Sequence, residues 1–572
     1  MKVLLLHPAD QIPLDSRWDV VIDIGRAPRS TYRDWSARTA GRVMSVYDLA
    51  CEIDDLYRTR ELLELGIGKL LDHHGIDWWD VCSLMLSPDL QLLMLGRRIA
   101  QDLDPNCELH ATRDGALVRG LTALLGVRAK IHRHGSGIDS LRSALHAART
   151  LDRGELFQVL QDKFDDGHHI RRWFARHPQG DGRPIVLCPS AYINVSREVA
   201  KHAACCPQKD YYLVLARQNA RLSTLPTNVQ VASLDGYFVS SNSRELRSLL
   251  HEWEHLRRRL VASSEEFMMA DRAGVLARIP GLLRWGIAVR DAWSRVFQIE
   301  NVIECFCADD SNPYTRIPLM LARKRRLPTV ACHHGALDCR LAFKRSHADV
   351  HIVKTEMEWD YTVSICKVPP EHLVLQSCDD EPSGRAPALC DRKRGYLTFF
   401  TEAYHSAGFR EVEIFGDLMP KLLAASQALG LRLAIKLHPF DGVKKMESCL
   451  RAVLAEPDRK LVQVWSGYMS DSRWRSTHVM VTGQSSVALE GAQRRIPTFL
   501  CRWLRDPFSG YQKQFVRYGF GRLLDSAEEI LGIPEILRAN PWSPGKETSS
   551  SITGVTDAQF ERYSPRVMGA GV

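Results

Sequence analysis

The chain has 572 residues, 45% hydrophobic and 25% charged, which provides for two or three packed domains and excludes a disordered chain. A net charge of +8 over that length does not mark a nucleic-acid binder, and no nucleic acid is expected as a partner. Residues 3–6 are too few for a secretory apolar region and no run reaches the length of a membrane span, so the expected location is the cytoplasm.

In chain order, β-rich runs at 3–6, 20–24 and 43–46 alternate with helical patterns such as 56–71, the opening of an α/β sheet. Further strands are expected at 185–188, 211–215, 302–306, 329–331 and 351–353. Between them, 243–296 reads as long amphipathic helices rich in Leu, Trp and Arg, an addition to the first domain. The first domain is expected to be 1–378. A turn-rich stretch, 379–394, reads as the linker, and a second domain, 395–540, winds from a strand at 396–400 through a helix, a strand at 433–437, a helix and a strand at 461–464. The tail, 541–572, is rich in Ser, Gly and Thr and is expected to be poorly ordered. The 15 cysteines include no CxxC pair; Cys305 and Cys307 alternate onto one face of a strand, and buried thiols are expected. The basic runs Arg257-Arg258-Arg259 and Arg323-Lys324-Arg325-Arg326 suit an anionic lipid or glycan, with a solvated helix face as the plainer account.

One pattern occurs twice. A β-rich run, a polar loop that caps a helix, and an Arg-Arg-x-Pro-Thr exit into a second β-rich run appear at 302–332 and again at 478–501. Each copy reads as a β-α-β unit, so two doubly wound domains facing each other across a cleft are expected, with ligands beyond the carboxyl ends of the strands.

The chemistry-bearing residues fall at those ends. Lys436-Leu437-His438-Pro439 closes a strand, where an imidazole can hydrogen-bond a phosphate oxygen. Gly483-Gln484-Ser485-Ser486 opens a helix with backbone N–H groups and two hydroxyls, and Glu490 follows one turn later, placed to hold ribose hydroxyls or simply a surface residue. No Walker-type lysine loop is present, which suits one phosphate better than three. In the first domain Asp309-Asp310 end a strand before Asn312-Pro313 start a helix; adjacent carboxylates resist double ionisation, so one of them is expected to have a raised pKa. Arg316 follows on that helix, suited to a substrate carboxylate or to a salt bridge with the aspartates. His333-His334-Gly335 close the next strand; one histidine is expected to bond substrate or leaving group, and no metal is expected because no third ligand is suitably spaced. Lys354 and Glu402 follow two further strands and reach toward the same expected cleft.

Together the Lys-Leu-His-Pro at 436–439, Ser485-Ser486, the Asp-Asp-Ser-Asn-Pro-Tyr-Thr-Arg run at 309–316 and the His-His-Gly at 333–335 resemble GT-B glycosyltransferases that use CMP-activated ulosonic acids. The resemblance runs from about 302 to 500 and is closest to the retaining β-Kdo transferases of bacterial capsule and O-antigen lipopolysaccharide assembly. It implies two Rossmann-like domains, a CMP-β-Kdo donor, no metal or other cofactor, and a glycan acceptor on a lipid carrier, which would make peripheral contact with the cytoplasmic face of the inner membrane useful. It further implies double displacement, with Asp310 as nucleophile and Asp309 as the other choice. His334 or Arg316 would orient the sugar among Asn312, His333, Lys354 and Glu402. CMP would be held by Lys436, His438, Pro439, Gly483, Gln484, Ser485, Ser486 and Glu490. Inverting transfer from CMP-sialic acid, a nucleotide-sugar epimerase or polyol-phosphate transferase on the same scaffold, and a glycan-binding assembly protein are the alternatives.

Overall fold

The computed structural model describes residues 1–539 other than 9, 11, 13–16, 26–40, 53–55, 133–181, 218–219, 223, 239–242, 334–342, 376–394, 403, 405–409, 440 and 505–511. The expected linker and tail, and His334, lie outside the described residues. Among the described residues the strands form three sheets, and every strand pairing is parallel. The first sheet contains β1 (Lys2–Leu6), β2 (Val20–Asp23), β3 (Arg42–Ser45), β4 (Glu108–Ala111) and β5 (Lys130–Ile131) in the order β3-β2-β1-β4-β5. The second contains β6 (Ile185–Ser190), β7 (Tyr211–Leu215), β8 (Val229–Ser233), β9 (Val302–Cys307), β10 (Thr329–Cys332), β11 (Val350–Val353) and β12 (Leu373–Leu375), ordered β12-β11-β10-β9-β6-β7-β8. The third contains β13 (Tyr396–Phe400), β14 (Arg432–Lys436), β15 (Val462–Trp465), β16 (Thr477–Thr482), β17 (Thr498–Cys501) and β18 (Arg522–Leu524), ordered β15-β14-β13-β16-β17-β18.

Each order reverses once, between β1 and β4, between β6 and β9, and between β13 and β16. Those are the switch points at which helices on opposite faces diverge and leave a crevice beyond the strand ends. The central strands are largely apolar, as strands covered on both faces must be: β6 and β13 are buried at every residue.

The chain divides into two compact units. One holds the described residues within Met1–Asp54, Leu95–Asp166 and Asp380–Ser550, with the first and third sheets; the other holds those within Asp55–Met94 and Gly167–Asp379, with the second sheet. Residues 1–378, read from the sequence as one domain, thus contain two separate sheets.

The repeated pattern is real in three dimensions. Both copies are strand, helix and parallel strand, with helices Pro313–Lys324 and Val487–Gln493. Asn312 caps the first helix by accepting Tyr314 N–H at 3.1 Å, and Pro313 occupies the position where a missing N–H costs nothing. Both helices end in the same left-handed cap, with Arg326 at φ 58° and Arg495 at φ 56°. Leu327 N–H then returns to Ala322 O and Ile496 N–H to Gly491 O, a 6→1 closure that normally recruits glycine.

The expected long helices form as Ser243–Ser263, Glu265–Arg272 and Ile279–Ile299, inserted between β8 and β9. The expected helix 56–71 instead stops at Glu64, where Gly66 and Gly68 follow, the latter at φ 73°. The basic runs are largely engaged locally: Arg257 grips Asp271 at 2.6 and 3.0 Å, Lys324 caps His73 O, and Arg325 lies over the Phe297 ring. Cys305 and Cys307 are buried thiols of the second sheet's core. No helix among the described residues is long and apolar enough to cross a membrane.

Candidate functional site

At the switch point of the third sheet, Thr401 and Glu402 leave β13 and face Gly483 and Gln484 leaving β16. Thr401 Oγ1 accepts His438 N–H at 2.8 Å and donates to Asp441 at 3.1 Å, which fixes the turn after β14. Glu402 accepts the Gln484 N–H. Gly483 lets the walls approach closely there: a Cβ would stand 2.5 Å from Glu402 Oε1 and 3.0 Å from Leu504 O, so Glu402 would have to shift. Gln512, 2% exposed, clamps the loop by donating to Gly483 O at 2.5 Å and Cys501 O at 3.0 Å. Sequence reading missed Gln512, since nothing local marks a glutamine that acts from a later helix.

Thr401, Glu402, Lys436, His438 and Gly483 to Ser486 are therefore gathered at the carboxyl edge of one sheet. Lys436 is nearly buried and caps Leu437 O, and Pro439 is exposed. Ser485 and Ser486 are half-buried; Ser485 Oγ accepts Val487 N–H at 3.4 Å, while Ser486 makes no side-chain cap. Glu490 points to the exposed face of its helix, 3.9 Å from Arg494, and no described contact links it to the crevice.

Burial, with help from the Lys436 charge, lowers His438 to about 4, so its imidazole is neutral at physiological pH. His202, stacked on Phe306 at 4.1 Å, and His351 are likewise lowered to about 4 by burial. Each folded-state value lies below the ordinary 6.5, so between pH 6.5 and about 4 the unfolded chain binds more protons than the folded one. Stability is expected to be full above that window and to fall as pH drops through it. Urea midpoints measured across that range should show the slope, and His202→Leu should flatten it.

The second sheet's switch point carries a different chemistry. Tyr192, just beyond β6, donates its hydroxyl across the crevice to Asp309, just beyond β9. Asp309 also accepts Ser311 N–H at 2.9 Å and the Ser311 hydroxyl. Asp310, 0% exposed, is ion-paired to Lys344 and lies 3.5 Å from Arg316 Nη1. Burial alone would raise its carboxyl, but Lys344 and Arg316 overcome that and hold it below the ordinary value. The expectation that adjacency would push one carboxyl up fails at Asp310, because Arg316 on the following helix and Lys344 from a later segment both stand beside it.

Arg316 is itself committed. Its Nη2 bonds both oxygens of Asp80 at 2.8 and 2.9 Å, and Asp80 also meets His347 Nε2 at 2.5 Å. All of Arg316, Asp80 and Asp310 are buried, so Arg316 is an anchor of a charge network and not an open carboxylate receptor. Asn312 is the helix cap described above. Lys354 pairs with Glu198 at 3.5 Å and donates its N–H to Glu358, whose carboxyl is raised by burial against the Lys354 charge. His333 lines a cavity with Lys344, Ser346, His351 and Glu358. Tyr192, Asp80 and Lys344 were not legible beforehand; only the expected strand at 185–188 hinted that Tyr192 follows a strand end. Among the described residues no three of His, Cys, Asp and Glu converge as a metal set would.

No family model matches the chain, and no curated protein matches it. Solved structures similar to it include the UDP-GlcNAc 2-epimerase of Methanocaldococcus jannaschii, 10% identical, covering 67% of this chain and 99% of its own at a TM-score of 0.41. The Neisseria meningitidis UDP-GlcNAc 2-epimerase bound to UDP-GlcNAc is 9% identical over 66% and 98%, at 0.38. The calicheamicin glycosyltransferase is 11% identical over 68% and 96%, at 0.39. Likenesses of this size carry no argument, and function rests on the chain's own residues.

Proposed function

We propose that this chain is a glycosyltransferase of the GT-B kind that moves Kdo from CMP-β-Kdo to a growing bacterial surface polysaccharide with retention. The observation that carries the reading is the third sheet's crevice. There a neutral imidazole, a hydroxyl-rich loop and an ordered carboxylate surround one switch point, a set suited to a single phosphate and a ribose. His438 would donate to a phosphate oxygen, and the N–H and hydroxyl groups of Ser485 and Ser486 would spread the charge that develops as CMP departs.

The second sheet's crevice would supply the nucleophile. A carboxylate oxygen attacks the anomeric carbon while the bond to phosphate breaks and its electron pair leaves with CMP; the acceptor oxygen then displaces the carboxylate from the other face as the hydroxyl proton is released. What favours Asp309 over Asp310 is the company each keeps. Asp310 is fully enclosed between two cations, which lowers its nucleophilicity, whereas Asp309, also buried, is oriented by the Tyr192 and Ser311 hydroxyls. Asp310 then fixes Lys344 and Arg316 beneath it.

Thermal unfolding in the presence of nucleotides tests the reading. CMP at a hundredfold excess over its Kd should stabilise the chain by about 2.7 kcal/mol, with UMP and UDP giving far less. A response to UDP and none to CMP would replace the proposal with a UDP-sugar enzyme. An intact-mass adduct of one sugar, formed with donor generated in situ, would report the glycosyl-enzyme.

A further inference from the structure

The first sheet repeats a turn of the third. β1 runs into Leu6-His7-Pro8-Ala9-Asp10, and β14 into Leu437-His438-Pro439-Phe440-Asp441. Both are wired alike. His7 N–H goes to Thr112 Oγ1 at 2.9 Å and Asp10 N–H to His7 O at 3.0 Å; His438 N–H goes to Thr401 Oγ1 at 2.8 Å and Asp441 N–H to His438 O at 2.9 Å.

In the first copy the turn also receives a side chain from the start of the helix that follows β13. Arg410 Nη2 donates to His7 O and Nη1 to Asp10 O, both at 3.2 Å, while Nε and Nη2 bond Asp23 at 3.0 and 2.7 Å. Asp23 ends β2 and is fully buried; Arg410 is nearly so. Arg410 also closes the connection that begins with Thr401 and Glu402, because helix Glu411–Ala428 starts at the next residue. A second tie reaches the opposite wall. Tyr47, just beyond β3, donates its hydroxyl to Trp503 O at 2.8 Å, and the neighbouring Leu504 O borders Gly483.

We propose that the five-stranded sheet is the frame of the third sheet's crevice, with Asp23 and Tyr47 as positioning residues for the segments that bear Glu402 and border Gly483. The inference deepens the donor-site reading, on which its functional meaning rests. A buried ion pair and a part-buried hydroxyl bond impose one geometry on both walls, and tight recognition needs walls that do not drift.

Hydrogen exchange on the full chain tests this without a ligand. In Asp23→Asn the amides of His438 and Gln484, which bond Thr401 and Glu402, should exchange about tenfold faster or more, while Phe499 in β17 keeps its rate. Tyr47→Phe, which removes one hydroxyl and stands in should Asp23→Asn not fold, should accelerate Gln484 in the same selective way. Unchanged rates at both amides, or equal acceleration at Phe499, would overturn the proposal. CMP titration of the same proteins separates the two ideas: a wild-type chain that ignores CMP refutes the donor reading and leaves the exchange result to judge the frame.

Discussion

Asp309→Asn is expected to abolish sugar transfer, by a factor of about a thousand or more, while leaving CMP binding within about twofold of wild type. The amide keeps the size of the carboxylate; its one oxygen can still accept the Ser311 N–H and hydroxyl while its NH2 donates to the Tyr192 oxygen, so the crevice stays built. What it loses is the negative charge that would form the bond to the anomeric carbon. The third sheet's crevice, proposed to hold CMP, is built from other residues, which is why its affinity should survive. Initial rates with donor generated in situ, paired with CMP titration, decide the matter. Retained turnover in Asp309→Asn and lost turnover in Asp310→Asn would exchange the roles assigned to the two residues.

Arg316→Ala is expected to cost about 3–5 kcal/mol of stability, the usual penalty for stripping the partner from buried charges. It would leave Asp80 and Asp310 enclosed, the first with His347 and the second with Lys344 as remaining partners. Arg345 O would lose a donor as well. Arg316→Lys should recover only part of this, because one ammonium cannot bond both oxygens of Asp80 and still reach Asp310. Denaturant unfolding measures the loss. A change below 1 kcal/mol would mean that the network relaxes or is hydrated.

Much of the fold was legible because parallel strands buried on both faces are continuous apolar words, such as Ile185 to Cys188 or Tyr396 to Phe400. The β-α-β repeats were legible from Asn312-Pro313 at a helix start and from the Pro that follows each Arg-Arg pair. Short strands were not: β5 has two residues and β18 three, too few for a period to show. The separation of the first two sheets also escaped, since nothing in the sequence between them says which strands share hydrogen bonds. In the site, residues that leave strand ends could be named in advance. Their partners could not, because Asp80, Lys344, Tyr192 and Gln512 reach their positions through contacts between distant segments.

The twin His-Pro turns give the molecule an internal reference. One is filled by the chain's own arginine, which also ties it to the wall of the third sheet's crevice. Matched substitutions in the two turns then compare, within one polypeptide, a bend held by an arginine from a distant segment with its counterpart after β14.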